Sequence, residues 1–175
     1  MTRQPPALLP ALALLTSLAL TPPALALEGD AEAPIEVEAD QLDLDDQAGT
    51  AVDTGDVDIR QGSMRLTGDR VEIERNADGE LSRATATGER AYIEQQPNPY
   101  EPRVRGWGRT VIYHVSERRV ELIDRAELHQ GRDTFDGGYL EYFLDRREVQ
   151  ARSGSEGSEE PQRVRMTLEP ERDGE

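Results

Sequence analysis

The side chains best suited to chemistry in this sequence are two histidines, His114 and His129, and a large number of carboxylates. Neither histidine has a second histidine at the His-x-His or His-x-x-x-His spacing that would place two metal ligands side by side. Because the chain has 36 acidic residues, carboxylates must pair by chance, and no such pair indicates glycosidase chemistry. The sequence therefore predicts no metal site, and the two histidines are interpreted as surface residues.

Motifs for nucleophilic or phosphate chemistry do not occur. The stretch Gly154-Ser155-Glu156-Gly157 lacks the spacing and the strand-to-helix context of a nucleophile elbow, and no glycine-rich phosphate loop is present. The chain has no cysteine, which excludes disulfides, thiolate metal sites and a lipidated cysteine. We therefore predict no catalytic residue and no cofactor, and expect a protein that is not an enzyme.

What the sequence does contain is a dense alternation of apolar and polar residues, clearest in residues 54–74. Successive strand side chains point to opposite faces, so this alternation predicts strands with one apolar and one polar face. Gly55, Gly62 and Gly68 punctuate the runs and predict corners at which the chain turns from one strand to the next. The apolar runs are Val57 and Ile59, then Met64 and Leu66, then Val71 and Ile73.

The same pattern returns 69 residues later without a gap, since residues 55–74 align with residues 124–143. A fainter copy lies between them. There Thr87-Gly88-Glu89 precedes the alternating residues Ala91, Ile93 and Gln95, as Thr54-Gly55-Asp56 precedes Val57, Ile59 and Gln61, with one residue inserted. A repeated unit that cannot bury its own apolar face must stack on its neighbours to form a core. Aligned positions include Ile59 with Leu128, Leu66 with Phe135, Val71 with Leu140, Ile73 with Tyr142, and Gln61 with both Gln95 and Gln130.

The amino terminus is typical of a secretory signal. Arg3 precedes an apolar run over residues 7–20, followed by Pro22-Pro23 and the Ala24-Leu25-Ala26 pattern of a cleavage site. We predict a cleaved leader over residues 1–26 and a flexible segment over 27–33; an uncleaved membrane anchor is the alternative, which the proline pair disfavours. One domain is then expected over residues 34–168, with a frayed tail over 169–175.

The net charge of −16 disfavours nucleic acid as a partner. All 20 basic residues are arginine. Either adaptation to high salt, where self-repulsion is screened, or a GC-rich genome would give this composition.

Short alternating runs continue to the carboxyl terminus, and no segment of ten or more residues has helical periodicity. A turn at residues 76–79, a proline-rich loop at 95–102 and a polar loop at 153–161 separate the runs. We predict an all-β chain of a dozen or more strands, each of about 4 to 7 residues, folded as a sandwich, jelly roll or barrel-like roll.

The order of these motifs resembles the LptA/OstA-like family of periplasmic lipopolysaccharide transport proteins. The resemblance covers residues 34–170, and no single piece of it is a strict signature. The matching features are Pro34-Ile35, Glu38-Ala39-Asp40, Thr54-Gly55-Asp56-Val57, Gln61-Gly62, Gly68-Asp69-Arg70-Val71, residues 122–130, residues 137–142 and residues 164–170.

The resemblance implies an elongated, twisted antiparallel β-jelly roll of two related halves, whose V-shaped interior shelters the acyl chains of lipopolysaccharide (lipid A). It also implies a periplasmic location and a bridge of like domains from the inner-membrane component LptC to the amino-terminal domain of LptD at the outer membrane. We expect about half of the apolar set to line an open trough and half to be ordinary core. The candidate groove-lining residues are Ile35, Val37, Leu44, Val57, Ile59, Met64, Leu66, Val71, Ile73, Ile93, Val111, Tyr113, Leu128, Phe135, Leu140 and Tyr142.

An open roll leaves unpaired backbone groups on its first and last strands, expected at residues 35–39 and 164–168. End-to-end homo-oligomers would form by strand addition at these edges, whose apolar residues are Ile35, Val37, Val164, Met166 and Leu168. Arg60, Arg65 and Arg70 could neutralise lipid phosphates, although balancing neighbouring carboxylates is the favoured interpretation. Two other functions stay open: a ligand-free structural β-scaffold and a diffusing, monomeric lipid chaperone.

Overall fold

The alternating sequence folds into a single antiparallel sheet. The computed structural model describes residues 33–154 and 162–170, which form ten strands. The predicted leader over 1–26 and most of the polar loop at 153–161 lie outside these residues. The strands are β1 (Glu36–Glu38), β2 (Gln41–Asp45), β3 (Thr50–Gln61), β4 (Met64–Arg75), β5 (Leu81–Gln95), β6 (Val104–His114), β7 (Arg119–Gln130), β8 (Asp133–Phe143), β9 (Glu148–Arg152) and β10 (Arg165–Thr167).

The strands follow one another as a meander from β3 to β8, each pairing with the next. At one end β1 and β2 both pair with β3, and at the other β9 and β10 both pair with β8. This confirms the all-β prediction, and it places two short strands at each end of the sheet. Within residues 33–154 and 162–170 the chain forms no helix, and hence no helix able to span a membrane.

The six central strands are 11 to 15 residues long, so the prediction of a dozen or more short strands is wrong. Gly62 lies at a true turn between β3 and β4, with φ of 57°. Gly55 and Gly68, in contrast, lie inside β3 and β4, where the pairing register shifts by a bulge. Glycine is favoured both in turns and in β-bulges, so the sequence of one strand does not distinguish a bulge within a strand from a turn between strands.

The bulges of neighbouring strands are in line, and together they form a crease across the sheet. Register shifts occur between Thr54 and Val57, Thr67 and Arg70, Thr87 and Ala91, Trp107 and Thr110, and Ile123 and Ala126. Because bulges bend the strands that carry them, the crease divides the sheet into two layers that fold toward each other.

Each layer takes one half of every long strand and one short strand at each end. The first layer contains β2, β9 and residues 50–54, 70–75, 81–87, 110–114, 119–123 and 139–143. The second layer contains β1, β10 and residues 57–61, 64–67, 91–95, 104–107, 126–130 and 133–137.

The sequence repeat is reproduced in the backbone at the crease. Gly55 and Asp56 have φ of 81° and 43°, and their repeat equivalents Asp124 and Arg125 have φ of 57° and 54°. The left-handed region is unfavourable for residues other than glycine. The fold therefore holds the same uncommon backbone bend in both halves, which confirms that the halves are related.

The connections agree with the predictions in most details. The turn at residues 76–79 closes on Asn76, whose Oδ1 accepts hydrogen bonds from the backbone N–H groups of Asp78 and Glu80, at 3.0 and 2.9 Å. The proline-rich segment separates β5 from β6. Glu169, at the start of the predicted tail, donates its backbone N–H to Asp133 over 3.1 Å, while residues 171–175 lie outside the described part of the chain.

Candidate functional site

The inner faces of the two layers form the main apolar surface of the molecule. Cross-strand partners place these side chains in three unbroken rows of eight residues, each running from one end of the sheet to the other. The first layer holds Leu44, Ala51, Ile73, Ala84, Tyr113, Val120, Tyr142 and Val149 in one row, and Leu42, Asp53, Val71, Ala86, Val111, Leu122, Leu140 and Ala151 in the next. The second layer holds Val37, Ile59, Leu66, Ile93, Gly106, Leu128, Phe135 and Met166.

The sixteen predicted lining residues all belong to this inner surface or to the core it forms. Twelve of them are 5% exposed or less, and Ile35 and Phe135 are half-buried. Val37 and Leu44, at one end of their rows, are 38% and 56% exposed. The structure therefore places these residues on the inner side of the sheet, and their expected division into groove lining and ordinary core stays a prediction.

The two layers touch beside the crease, next to the bulges of β6 and β7. Gly106 of the second layer lies so close to Leu122 of the first that a Cβ on Gly106 would be 2.9 Å from both Leu122 methyl carbons. Away from the crease, the low exposure of most inner side chains shows that the centre of the interior is closed in this structure. Apolar surfaces that face each other without a guest gain free energy by excluding water, which accounts for the closed centre.

The inner face becomes accessible at the two ends of the sheet. Leu42 and Leu44 on β2 are 58% and 56% exposed, and Met166 on β10 is 59% exposed. Val164 and Leu168 beside β10 are also exposed. Contiguous exposed apolar residues are uncommon on the surface of a monomeric protein, so residues that continue a buried row into solvent indicate a contact site.

A small cavity lies between the layers on the side away from the crease. Its volume is about 10 Å³, room for at most one water molecule, and its lining is almost entirely apolar. The lining residues are Ile93, Gln95, Val104 and Leu128 of the second layer and Val120, Tyr142 and Leu144 of the first.

Sequence reasoning missed one charged residue in the inner rows. Asp53 is fully buried between Leu42 and Val71, and neither carboxyl oxygen has a hydrogen-bond partner among the described residues. Burial raises the pKa of this carboxyl above its ordinary value. Asp53 is in phase with Ala51 and Val57 along β3, and this two-residue alternation was the available signal.

Glutamines end three of the strands on the inner face of the second layer. They are Gln61 on β3, Gln95 on β5 and Gln130 on β7, the positions that the sequence repeat aligned. Gln61 and Gln95 are 8% and 5% exposed. Gln130 donates a hydrogen bond across to the Tyr142 hydroxyl in the first layer, at 3.1 Å. The sequence showed their equivalence but not that they face inward.

The outer faces of both layers are covered with ion pairs. Arg60 and Arg65 both contact Asp58, at 3.0 and 2.8 Å, and Arg70 lies 3.7 Å from Glu72. The guanidinium of Arg65 lowers the pKa of the Asp58 carboxyl. These arginines therefore balance neighbouring carboxylates, which was the favoured interpretation.

Both histidines lie on the outer faces and contact carboxylates. Their Nε2 atoms are 2.8 Å from Glu121 for His114 and 2.7 Å from Glu127 for His129. Among the residues that the structure describes, no group of three or more metal-ligating side chains is placed to hold an ion. The arrangement at the inner face can bind apolar chains, and the outer face is a charged, solvated surface.

Comparison with known proteins finds relatives over most of the sequence. Residues 36–148 match the family described as LptA/(LptD N-terminal domain) LPS transport protein. The crystal structure of LptH, described as the LptA-homologous periplasmic component of the lipopolysaccharide transport device of Pseudomonas aeruginosa, superimposes with a TM-score of 0.73 at 38% identity. That alignment covers 81% of this chain and 99% of that one.

Curated relatives carry the same description. The lipopolysaccharide export system protein LptH of Pseudomonas aeruginosa is 39% identical over 151 residues, covering 85% of this chain and 86% of the relative. The lipopolysaccharide export system protein LptA of Escherichia coli K12 is 30% identical over 136 residues, covering 77% and 72%.

Proposed function

Because this chain belongs to the LptA/LptD amino-terminal domain family of lipopolysaccharide transport proteins, we propose that it carries lipopolysaccharide across the periplasm with the lipid's acyl chains sheltered between the two layers. The observation that carries this proposal is the set of three continuous inner rows, apolar except for Asp53, which are exposed at β1, β2 and β10. Moving an acyl chain from water to such a surface is worth roughly 0.8 kcal/mol per methylene. Transport of this kind needs binding only, and we propose no catalytic role.

Entry of an acyl chain requires the layers to part, and the crease is the natural place for that movement. Parting exposes little apolar surface to water if the guest replaces the contacts that the layers make with each other away from the crease. The closed centre is then the unloaded state of the carrier.

The acidic surface is compatible with a phosphorylated guest if the sugar phosphates stay in solvent. Repulsion between exposed charges is screened over about 8 Å at physiological salt. Since Arg60 and Arg65 already contact Asp58, we assign the binding free energy to the acyl chains rather than to phosphate recognition.

The location and the ends of the molecule complete the proposal. Residues 1–26 act as a cleaved leader that directs the domain, residues 34–168, to the periplasm. The exposed β1/β2 and β10 ends join copies of the chain end to end, and the terminal copies contact LptC at the inner membrane and the amino-terminal domain of LptD at the outer membrane.

Photo-crosslinking at adjacent positions tests the groove. Leu66 is fully buried on the inner face, and Thr67, the next residue, points outward. With a photoreactive residue at position 66, irradiation in cells should give a lipopolysaccharide adduct, and the same residue at 67 should give none.

Equal labelling at both positions, or none at 66 and at a second inner position such as Leu128, would favour the ligand-free scaffold. A labelled protein that remains monomeric at every concentration would instead favour the diffusing chaperone.

A further inference from the structure

The cavity between the layers contains a polar atom that the fold leaves unsatisfied. Gln95 is 5% exposed and lines the cavity, and its Oε1 atom is buried without a hydrogen-bond partner among the described residues. A buried amide oxygen without a donor costs free energy. An apolar side chain would fit a purely hydrocarbon guest better at this position.

A second polar group faces the same cavity from the opposite layer. Tyr142 is 1% exposed and lines the cavity, and its oxygen accepts the hydrogen bond from Gln130. A tyrosine phenol is protonated at neutral pH, and burial raises the pKa of Tyr142 further, to about 12. That proton can be donated to a further acceptor.

The cavity thus offers an acceptor from one layer and a donor from the other within an apolar lining. A hydroxyl group is the small group that satisfies both, because it donates one hydrogen bond and accepts others. On an otherwise apolar guest this chemistry is that of a hydroxylated acyl chain.

We propose that Gln95 is a specificity residue that accepts a hydrogen bond from the hydroxyl group of a hydroxylated acyl chain. This inference rests on the proposed function and deepens it, because it names a chemical feature of the guest beyond its hydrocarbon. Plain acyl chains bind as well, but they leave the Gln95 oxygen unpaired.

The test compares two probes that differ by one hydroxyl group, β-hydroxymyristate and myristate, by calorimetric titration of the purified protein. The wild type should bind the hydroxylated chain about tenfold more tightly, the value of one net hydrogen bond. Gln95→Met should abolish the preference while binding myristate at least as tightly as the wild type. Gln150→Met, on an exposed strand of the first layer, is the matched control and should keep the preference.

The two levels of the proposal fail in different ways. If the wild type binds both chains equally, or Gln95→Met keeps the preference, the role of Gln95 is overturned while acyl-chain binding stands. If the wild type binds neither probe nor lipopolysaccharide, the proposed function is overturned, and this inference with it. Gln95→Leu provides a second apolar variant, so a folding defect of one substitution does not decide the outcome.

Discussion

At the scale of single residues, the inner face is notable for the polar groups it buries. Asp53 lies in a row of aliphatic side chains with no exposure and no hydrogen-bond partner among the described residues. Its raised pKa has one cause, loss of hydration on burial. In the folded protein the neutral carboxyl is therefore favoured relative to the unfolded chain.

Stability should consequently fall as pH rises through the titration of Asp53. Below the ordinary aspartate value of 3.8 the carboxyl is protonated in both states and imposes no ionisation penalty. Above its folded pKa the native state must hold a buried charge that the unfolded state hydrates. Asp53→Asn keeps the shape without the titration, so its unfolding free energy relative to the wild type should increase with pH, by up to about 1.4 kcal/mol per unit.

Urea denaturation at a series of pH values measures this difference. Asp43→Asn removes a carboxylate from the exposed strand β2 and controls for the change in net charge. If both substitutions alter the pH profile equally, the effect belongs to overall charge and not to the burial of Asp53.

The limits of sequence reasoning are also visible at this scale. The two-residue alternation was sufficient to place Ile59, Leu66 and Leu128 on one face. Asp53 and Gln95 are also in phase with their apolar neighbours along the strand. Their burial was not predicted because a carboxylate and an amide carry no apolar signal, and only contacts between the layers reveal their environment.

At the scale of elements, the crease determines the architecture. Five aligned bulges convert one meander into two facing layers.

The sequence predicted the strands and the repeat, but it assigned Gly55 and Gly68 to chain reversals. Distinguishing a bulge from a turn requires the register of the neighbouring strand, and the distance between the layers depends on side chains far apart in sequence. The open or closed state of the groove was therefore beyond prediction.

A glycine at the crease tests its importance. A Cβ on Gly108 would lie 2.9 and 3.0 Å from the carbonyl oxygens of Thr110 and Ile123, and these backbone atoms cannot move without disturbing the pairing. Gly108→Ala should cost about 2–3 kcal/mol and lower Tm by roughly 5–10 °C, as measured by thermal unfolding followed by circular dichroism.

Gly88 provides the matched comparison, because it lies at the equivalent bulge of β5. A Cβ there would lie 3.0 and 3.1 Å from Oδ2 and Cγ of the Asp69 carboxylate, which can rotate away, and 3.1 Å from the Asp69 backbone nitrogen, which cannot. Gly88→Ala should therefore cost less than Gly108→Ala, about 1–2 kcal/mol. Equal losses for both variants would mean that reduced backbone freedom at the crease, rather than the backbone contact at Gly108, causes the effect.

At the scale of the whole molecule, the two ends of the sheet carry exposed apolar residues. The three inner rows continue to the edge strands, where Val37, Leu42 and Met166 are exposed. Each edge also has one row of backbone groups facing away from its partner strand. Because the two ends differ in sequence, a contact between them is heterologous and propagates into a filament instead of closing as a dimer.

Adding a charge to the inner row at one end should stop elongation. Met166→Asp places a carboxylate where the next copy's apolar row would continue, whereas Thr167→Asp adds the same charge on the opposite face of β10. Sedimentation velocity at increasing concentration should show oligomers for the wild type, monomers for Met166→Asp, and only slightly weakened oligomers for Thr167→Asp. A truncation after Gln162 that still elongates would contradict a role for β10.

Mixing two variants, each with one damaged end, determines which ends meet. Val37→Asp damages the amino-terminal edge and leaves β10 intact, while Met166→Asp does the reverse. Each alone should be monomeric, and an equimolar mixture should give a dimer and nothing larger, because the one remaining contact uses both intact ends. Dimers of Met166→Asp alone would instead show that two amino-terminal edges pair with each other, and a chain assembled in that way could not extend in one direction between two membranes.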